Sequence, residues 1–143
     1  MHVLLIDDEN DIREVAALSL QAIGGCRVST ASGGRDGIVI AAAEHPDVIV
    51  LDVMMPDVDG PATLRRLQID PQTRDIPVIF LTAKAQLADH RGGFARLGAA
   101  GIITKPFDPL TLTQQISAIL TGSDDTQTQT SLARQGRERR PPL

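Results

Sequence analysis

The sequence is poor in aromatic residues, in cysteine and in basic charge. It contains no tryptophan or tyrosine and only three phenylalanines, so we do not expect aromatic platforms for nucleic-acid bases. A formal net charge of −4 also excludes a general positive field that would attract nucleic acid. The single cysteine, Cys26, cannot form an internal disulfide, which favours a reducing compartment.

Long apolar runs are also lacking. No run approaches the length that crosses a membrane, and the amino-terminal segment carries no positively charged signal region. A chain of 143 residues suits one domain with one hydrophobic core. We therefore predict a cytoplasmic protein with no membrane contact and no direct contact with nucleic acid.

Short strand-like segments alternate with helix-like segments over residues 1–121. Strands are predicted at 2–6, 26–31, 47–52, 78–81 and 101–104, each followed by a helical pattern. Ser32 is predicted to cap the second helix, and the fourth helix is predicted over roughly 85–97 with Gly92 and Gly93 inside it. Such alternation predicts an α/β fold, a parallel sheet with helices against it.

The composition changes at residue 122. Residues 122–143 are mostly polar, with only Leu132, Ala133 and Leu143 apolar, and they cannot bury a core. We predict one folded domain over 1–121 and a disordered tail over 122–143. Four arginines cluster near the end of this tail, which is either simply solvated or an electrostatic docking arm.

Polar side chains follow four of the predicted strands directly. The carboxyl ends of parallel strands meet at one edge of a sheet, where α/β proteins bind their ligands. If these strands lie side by side, the polar groups converge on one spot: Asp7 and Asp8 after the first strand, Asp52 at the end of the third, Thr82 after the fourth and Lys105 after the fifth.

This set of groups suits phosphoryl chemistry. Repulsion among Asp7, Asp8 and Asp52 would be relieved by a hard divalent cation such as Mg²⁺. Lys105 could attract an anionic phosphoryl group, and a carboxylate can accept that group as an acyl phosphate. The plainer alternatives are that Asp7 and Asp8 only cap the first helix, and that Thr82 and Lys105 are ordinary turn and surface residues.

Five short motifs stand out along residues 2–121: Asp7-Asp8, Leu51-Asp52-Val53-Met54-Met55-Pro56, Asp59-Gly60, Leu81-Thr82-Ala83 and Thr104-Lys105-Pro106-Phe107. In order and spacing, these motifs together resemble the receiver domain of two-component response regulators. The resemblance implies a flavodoxin-like fold, with a five-stranded parallel sheet in the order 2-1-3-4-5 and helices on both faces.

The resemblance also implies a role for each matched residue. Asp52 matches the phosphoacceptor, which takes phosphate from a sensor histidine kinase or a histidine phosphotransfer protein. The implied Mg²⁺ ligands are Asp8, Asp52 and the backbone carbonyl of Met54, with Asp7 acting through bound water. Thr82 matches the hydroxyl that moves toward the phosphoryl group, and Lys105 matches its ion-pairing partner. Met54 and Lys84 fall where relatives tune dephosphorylation, and the Lys105-Pro106 bond is cis in relatives.

One position departs from the family pattern. Many receivers carry a tyrosine or phenylalanine that swings inward on phosphorylation where this chain has Ile102. Because isoleucine is stiff at its first torsion and has no ring, we predict that signalling depends more on a shift of the fourth helix. The alternative is that Ile102 is a packing residue with no bearing on switching.

The leading hypothesis is a phosphorelay regulator without an output domain and without enzymatic activity beyond its own phosphorylation and dephosphorylation. Relatives dock targets, or pair as weak homodimers, through the helix 4–strand 5–helix 5 face. The alternatives are a phosphorylation-independent adaptor and the excised receiver of a longer regulator. A flavin carrier is disfavoured because Asp7, Asp8 and Glu9 would repel the phosphate of the flavin. An aspartate-nucleophile phosphatase is disfavoured because it needs a second general acid, and the sequence shows no candidate for one.

Overall fold

The computed structural model describes residues 1–83 and 93–122. Within these ranges strands and helices alternate along the chain, as predicted. The elements are β1 (His2–Ile6), α1 (Asn10–Ala22), β2 (Arg27–Ala31), α2 (Gly34–Glu44), β3 (Val48–Asp52), α3 (Gly60–Ile69), β4 (Val78–Ala83), α4 (Gly93–Arg96), β5 (Gly101–Lys105) and α5 (Leu112–Thr121).

The strands of the described residues form one sheet in the order β2-β1-β3-β4-β5. Every neighbouring pair is parallel. The predicted fold class and strand order are therefore confirmed. Among the described residues, no helix is long and apolar enough to cross a membrane.

Alternating residues of each strand supply two hydrophobic cores, one on each face of the sheet. Leu4 and Ile6 of β1 pack on the face that also buries residues of α2, α3 and α4. Val3 and Leu5 point to the opposite face, where α1 and α5 pack. Because both faces are covered, all five residues of β3 are buried, which is why its sequence is a continuous apolar run up to Asp52.

Three predictions from the sequence either differ from the structure or concern residues outside the described ranges. The prediction that Ser32 caps the second helix was wrong: α2 has Gly33 at its N-cap position and no side-chain cap there. Most of the fourth helix predicted over 85–97 lies outside the described residues, including Gly92, and α4 is the described part. The predicted tail beyond Gly122 also lies outside them.

Candidate functional site

The parallel sheet brings the polar strand ends to one edge. Asp52 is the last residue of β3 and pairs in register with Leu81 of β4, so Thr82 lies one residue further toward the same edge. On the next strand, Lys105 pairs with Ala83. Asp7 directly follows β1, which is the neighbour of β3 on its other side. The strand order alone therefore places these groups together.

Lys105 contacts three of the acidic residues at this edge of the sheet. Its ammonium nitrogen lies 3.1 Å from Asp7 Oδ2 and 3.3 Å from Asp52 Oδ1. It also donates to Glu9 Oε1 at 3.0 Å. The Lys105 side chain is only 15% exposed, so these ion pairs are less screened than surface pairs. The sequence interpretation did not single out Glu9 as a partner of Lys105, although it directly follows Asp7-Asp8.

Three carboxylates at the edge are close enough to share a cation. Ligand oxygens of Asp7, Asp8 and Asp52 all lie within 4.8 Å of one another. Asp7 Oδ1 accepts a hydrogen bond from the Glu9 amide at 2.9 Å. Asp7 Oδ2 is buried and, apart from its ion contact with Lys105, has no hydrogen-bond donor within the described part of the chain. A carboxylate set with an under-satisfied buried oxygen fits a hard divalent cation such as Mg²⁺.

The carboxyl group of Asp52 ionises less readily than that of an ordinary aspartate. Burial, followed by the negative charge of Asp7, raises the pKa of Asp52 from 3.8 to about 7, while the Lys105 ammonium opposes the rise. Burial disfavours the charged form of Lys105, but the hydrogen bond to Glu9 and the negative charges of Asp7 and Asp52 outweigh this effect and raise the pKa of Lys105 as well. A second cation beside Asp52 would therefore favour its ionised form.

The other predicted site residues occupy different positions around this cluster. Thr82 is fully buried at the end of β4, and its hydroxyl donates to the Ala83 carbonyl at 3.3 Å. Met54 lies in the loop after β3, with its amide 3.4 Å from Asp52 Oδ1 and its side chain exposed. Lys84 lies outside the described residues. The Lys105-Pro106 bond is cis, as the resemblance implied.

Ile102 is partly buried and packs against the core that contains Phe80 and Phe94. It also lines a cavity of about 590 Å³ between β5 and α5. Its packing against the core agrees with the alternative in which Ile102 is a packing residue, and whether it has a part in switching stays a prediction.

The loop between β3 and α3 turns back closely on the end of β3. The Gly60 amide donates to the Val53 carbonyl at 2.8 Å, and Asp59 caps α3 by accepting from the Ala62 amide at 2.8 Å. A Cβ atom at Gly60 would lie 2.7 Å from the Asp52 carbonyl oxygen, so a larger residue would push the loop away from Asp52. The Asp59-Gly60 pair therefore fixes the far end of the loop that begins at the site.

Comparisons with known proteins agree with this geometry. The family model described as the response regulator receiver domain matches residues 3–117. The DNA-binding dual master transcriptional regulator RpaA of Synechocystis sp. is 38% identical over 122 residues, which are 85% of this chain and 50% of that protein. The probable transcriptional regulator ycf27 of Cyanophora paradoxa is 40% identical over 118 residues, 82% of this chain and 47% of that protein. The chain thus spans about half the length of these curated relatives.

Solved structures show the same similarity. The chemotaxis protein CheY4 of Vibrio cholerae has a TM-score of 0.74 and 32% identity, covering 82% of this chain and 97% of that one. The signal receiver domain of a signal transduction histidine kinase from Syntrophus aciditrophicus has a TM-score of 0.73 and 30% identity, covering 93% of this chain and 98% of that one. Both structures match across nearly their whole length.

Proposed function

This chain belongs to the response regulator receiver domain family, and from that premise we propose that Asp52 accepts a phosphoryl group from a phosphohistidine. The proposal rests on one observation. A buried carboxylate at the sheet edge has the Lys105 ammonium 3.3 Å away and the carboxylates of Asp7 and Asp8 within reach of a shared cation. Receiver domains take their phosphate from sensor kinases or phosphotransfer proteins, so we expect such a protein to be the donor.

In the proposed transfer, a carboxylate oxygen of Asp52 attacks phosphorus and forms an acyl phosphate. The phosphorus–nitrogen bond of the donor breaks, and its electron pair returns to the imidazole, which takes up a proton from solvent. Lys105 attracts the incoming anion and afterwards pairs with a phosphoryl oxygen. The Thr82 hydroxyl is proposed to donate to another of these oxygens. Only the ionised form of Asp52 can attack, which gives the neighbouring cations a direct part in activating it.

Mg²⁺ is the proposed cofactor, and its ligands would be Asp8, Asp52 and the Met54 carbonyl, with Asp7 acting through water. When bound, the ion would neutralise negative charge on the transferring group, which is the main requirement of phosphoryl transfer. Hydrolysis of the acyl phosphate by water would return the chain to its resting state. The side chains of Met54 and Lys84 are proposed to set the rate of that hydrolysis.

Phosphorylation is proposed to act in the cytoplasm, through contact with another protein or onward transfer of the phosphate. The proposed contact surface is the helix 4–strand 5–helix 5 face, which could also support a weak homodimer. We propose two alternatives for how the receiver is linked to its output: a receiver that acts without an output domain, and the receiver portion of a longer regulator. The half-length match to transcriptional regulators favours the second arrangement. A phosphorylation-independent adaptor is the alternative in which Asp52 never carries phosphate.

The test is to incubate the chain with Mg²⁺ and acetyl phosphate and to measure its intact mass. We expect a mass increase of one phosphoryl group that hydroxylamine removes, because acyl phosphates react with it. Chelation of Mg²⁺ should prevent the increase, and so should Asp52→Asn. An adaptor would show no increase, whereas a phosphatase would consume many equivalents of donor without accumulating phosphate.

The control variant is Asp47→Asn, which makes the same chemical change beside the opposite end of β3. Asp47 accepts a hydrogen bond from the His2 amide at 2.7 Å, far from the carboxylate cluster in the sheet. We expect this variant to be phosphorylated like the unaltered chain. If Asp47→Asn abolished phosphorylation while Asp52→Asn did not, the assignment of Asp52 would be wrong.

A further inference from the structure

The amino-terminal end of α2 has no cap of its own. Gly33 occupies the N-cap position and has no side chain to accept a hydrogen bond from the first amides of the helix. Asp57 supplies this cap from a distant part of the sequence. Its Oδ1 accepts from the Gly34 amide and its Oδ2 from the Arg35 amide, each at 3.3 Å. A residue of the loop after β3 therefore caps a helix that precedes β3.

The close approach between Asp57 and α2 requires a glycine. A Cβ atom at Gly33 would lie 2.7 Å from Asp57 Oδ2 and 3.0 Å from its Cγ, so any larger residue would displace the carboxylate. Backbone amides, first that of Val58 and also those of Arg35 and Gly34, outweigh slight desolvation and hold the pKa of Asp57 below its ordinary value. The carboxylate is therefore ionised at neutral pH, which strengthens its hydrogen bonds to the helix.

Asp57 holds the middle of the loop that carries Met54. The near end of this loop is fixed where the Val53 amide donates to the Leu81 carbonyl at 3.2 Å. Its far end is fixed by the Asp59 cap of α3. Between these points, the hydrogen bonds of Asp57 tie the loop to α2. The buried side chains of Met55 and Val58 also hold this loop, so loss of the Asp57 hydrogen bonds would loosen the segment that carries the Met54 carbonyl without detaching the loop.

We propose that Asp57 is a positioning residue, which holds the Met54 carbonyl in place for the cation by anchoring its loop to the amino-terminal end of α2. This inference rests on the proposed function, since it concerns the same cation. Asp57 would contribute to Mg²⁺ binding although its own side chain is not a ligand of the ion. Residues that orient metal ligands without binding the metal themselves typically contribute about tenfold or more to metal affinity.

The experiment is calorimetric titration of the full chain with Mg²⁺ at pH 8. We expect Asp57→Ala to bind Mg²⁺ about tenfold more weakly than the unaltered chain. Asp57→Asn keeps one acceptor oxygen and should show an intermediate loss. The matched control is Asp70→Ala, because Asp70 Oδ1 caps its own turn by accepting from the Gln72 amide at 2.9 Å, beyond the carboxyl-terminal end of α3. This control should bind Mg²⁺ like the unaltered chain.

A double-substitution cycle separates positioning from the loss of a negative charge. Gly33→Ala keeps the charge of Asp57 but displaces its carboxylate, so it should also weaken Mg²⁺ binding. Adding Gly33→Ala to Asp57→Ala should cause no further loss, since both act on one contact. Amide exchange at Gly34 and Arg35 without metal should be faster in both single variants.

Three results would overturn the inference. The first is equal Mg²⁺ affinity of Asp57→Ala and the unaltered chain. The second is an equal loss in Asp57→Asn and Asp57→Ala together with normal affinity of Gly33→Ala, because charge alone would then explain the effect. The third is an equal loss in Asp70→Ala, which would indicate general destabilisation. Absence of Mg²⁺ binding by the unaltered chain would overturn this inference together with the proposed Mg²⁺ site, whereas normal Mg²⁺ binding without phosphorylation in the mass measurement would contradict the proposed function alone.

Discussion

Lys105 Nζ lies 3.3 Å from Asp52 Oδ1, although 53 positions separate the two residues in the sequence. The contact exists because β3 and β5 flank β4 in a parallel sheet and both end at the same edge. The ammonium partly compensates a buried carboxylate that lies beside the carboxylates of Asp7 and Asp8. We therefore expect this pair to affect both the stability of the resting fold and the proposed reactivity of Asp52.

Removal of the ammonium should destabilise the fold at neutral pH. Lys105→Met leaves the buried carboxylates of Asp7 and Asp52 without their cation, and we expect a loss of about 1–3 kcal/mol in the free energy of unfolding. The loss should shrink as pH falls through 7, because Asp52 of the unaltered chain then takes up a proton and no longer forms an ion pair with Lys105. Urea unfolding in chelator at pH 5 and pH 8 measures both effects. Lys105→Arg keeps the charge and serves as the control. A loss that is equal at both pH values would contradict this account.

Asp52→Asn should stabilise the metal-free fold at alkaline pH. Folding raises the pKa of Asp52 from 3.8 to about 7. At pH values between these two, the folded state therefore still holds a proton that the unfolded state has released. The contribution of protonated Asp52 to the free energy of unfolding is fully present below pH 3.8 and is lost as pH rises through 7. Relative to the unaltered chain, the asparagine variant should therefore gain on the order of 2 kcal/mol above pH 8, after allowance for solvent screening. The gain should disappear near pH 4.

Urea unfolding across pH 4–9 in the presence of a chelator measures this difference. Asp47→Asn provides the control, since it removes an exposed carboxylate at the other end of β3. Its stability relative to the unaltered chain should show no rise around pH 7. If Asp52→Asn were less stable than the unaltered chain at pH 9, Asp52 would not be the destabilising group.

Much of the site could be predicted from the sequence because its charged residues stand at the carboxyl ends of apolar strands. Asp52 and Lys105 are each the last residue of a strand, and parallel strands bring such residues to one edge whatever the rest of the chain does. Glu9 was missed as a partner of Lys105 because it lies beyond the end of β1, on the way to α1. Whether its side chain turns to the site or to solvent depends on torsions that no periodic pattern reports.

The cap that Asp57 provides for α2 could not be predicted from the sequence, and the reason is a different one. A serine before a helical pattern predicts an N-cap, so Ser32 was assigned this role. The helix instead begins after Gly33, and the capping carboxylate comes from Asp57 in another loop. Such a cap depends on how close two loops lie in the folded chain, whereas capping rules consider only neighbouring residues. Gly33-Gly34 was the available signal, since paired glycines often mark a close backbone approach.

Binding of Mg²⁺ should release a proton from Asp52. Because the pKa of Asp52 is raised to about 7 without metal, the cation must compete with that proton at lower pH. The apparent affinity for Mg²⁺ should rise by about tenfold per pH unit below pH 6 and level off above pH 8. Calorimetry in buffers of different ionisation enthalpy measures the proton release directly. In Asp52→Asn the affinity should be weaker and nearly independent of pH over this range. A pH-independent affinity in the unaltered chain would contradict the prediction.

A shift of the fourth helix on phosphorylation should be visible in hydrogen exchange. Ile102 offers no ring to rotate, and it is packed against the core. Gly93 is the first residue of α4 as the structure describes it, and a glycine inside a helix costs up to about 1 kcal/mol relative to alanine. We therefore expect a phosphoryl mimic such as beryllofluoride, added with Mg²⁺, to change exchange at residues 84–98 more than in α1. Asp52→Asn should show no change, because the mimic requires its carboxylate.

Gly93→Ala tests the part that helix flexibility plays in this shift. A Cβ atom at Gly93 would meet no atom of the described residues within 4 Å, so the substitution adds helix propensity without a clash among them. We expect it to stabilise the helix by about 0.5–1 kcal/mol and to slow exchange at residues 84–98 in the resting state. The change caused by the mimic should become smaller, because the stiffer helix resists rearrangement. Equal protection with and without the mimic in the unaltered chain would contradict a helix shift, and an undiminished change in Gly93→Ala would show that flexibility at Gly93 has no part in it.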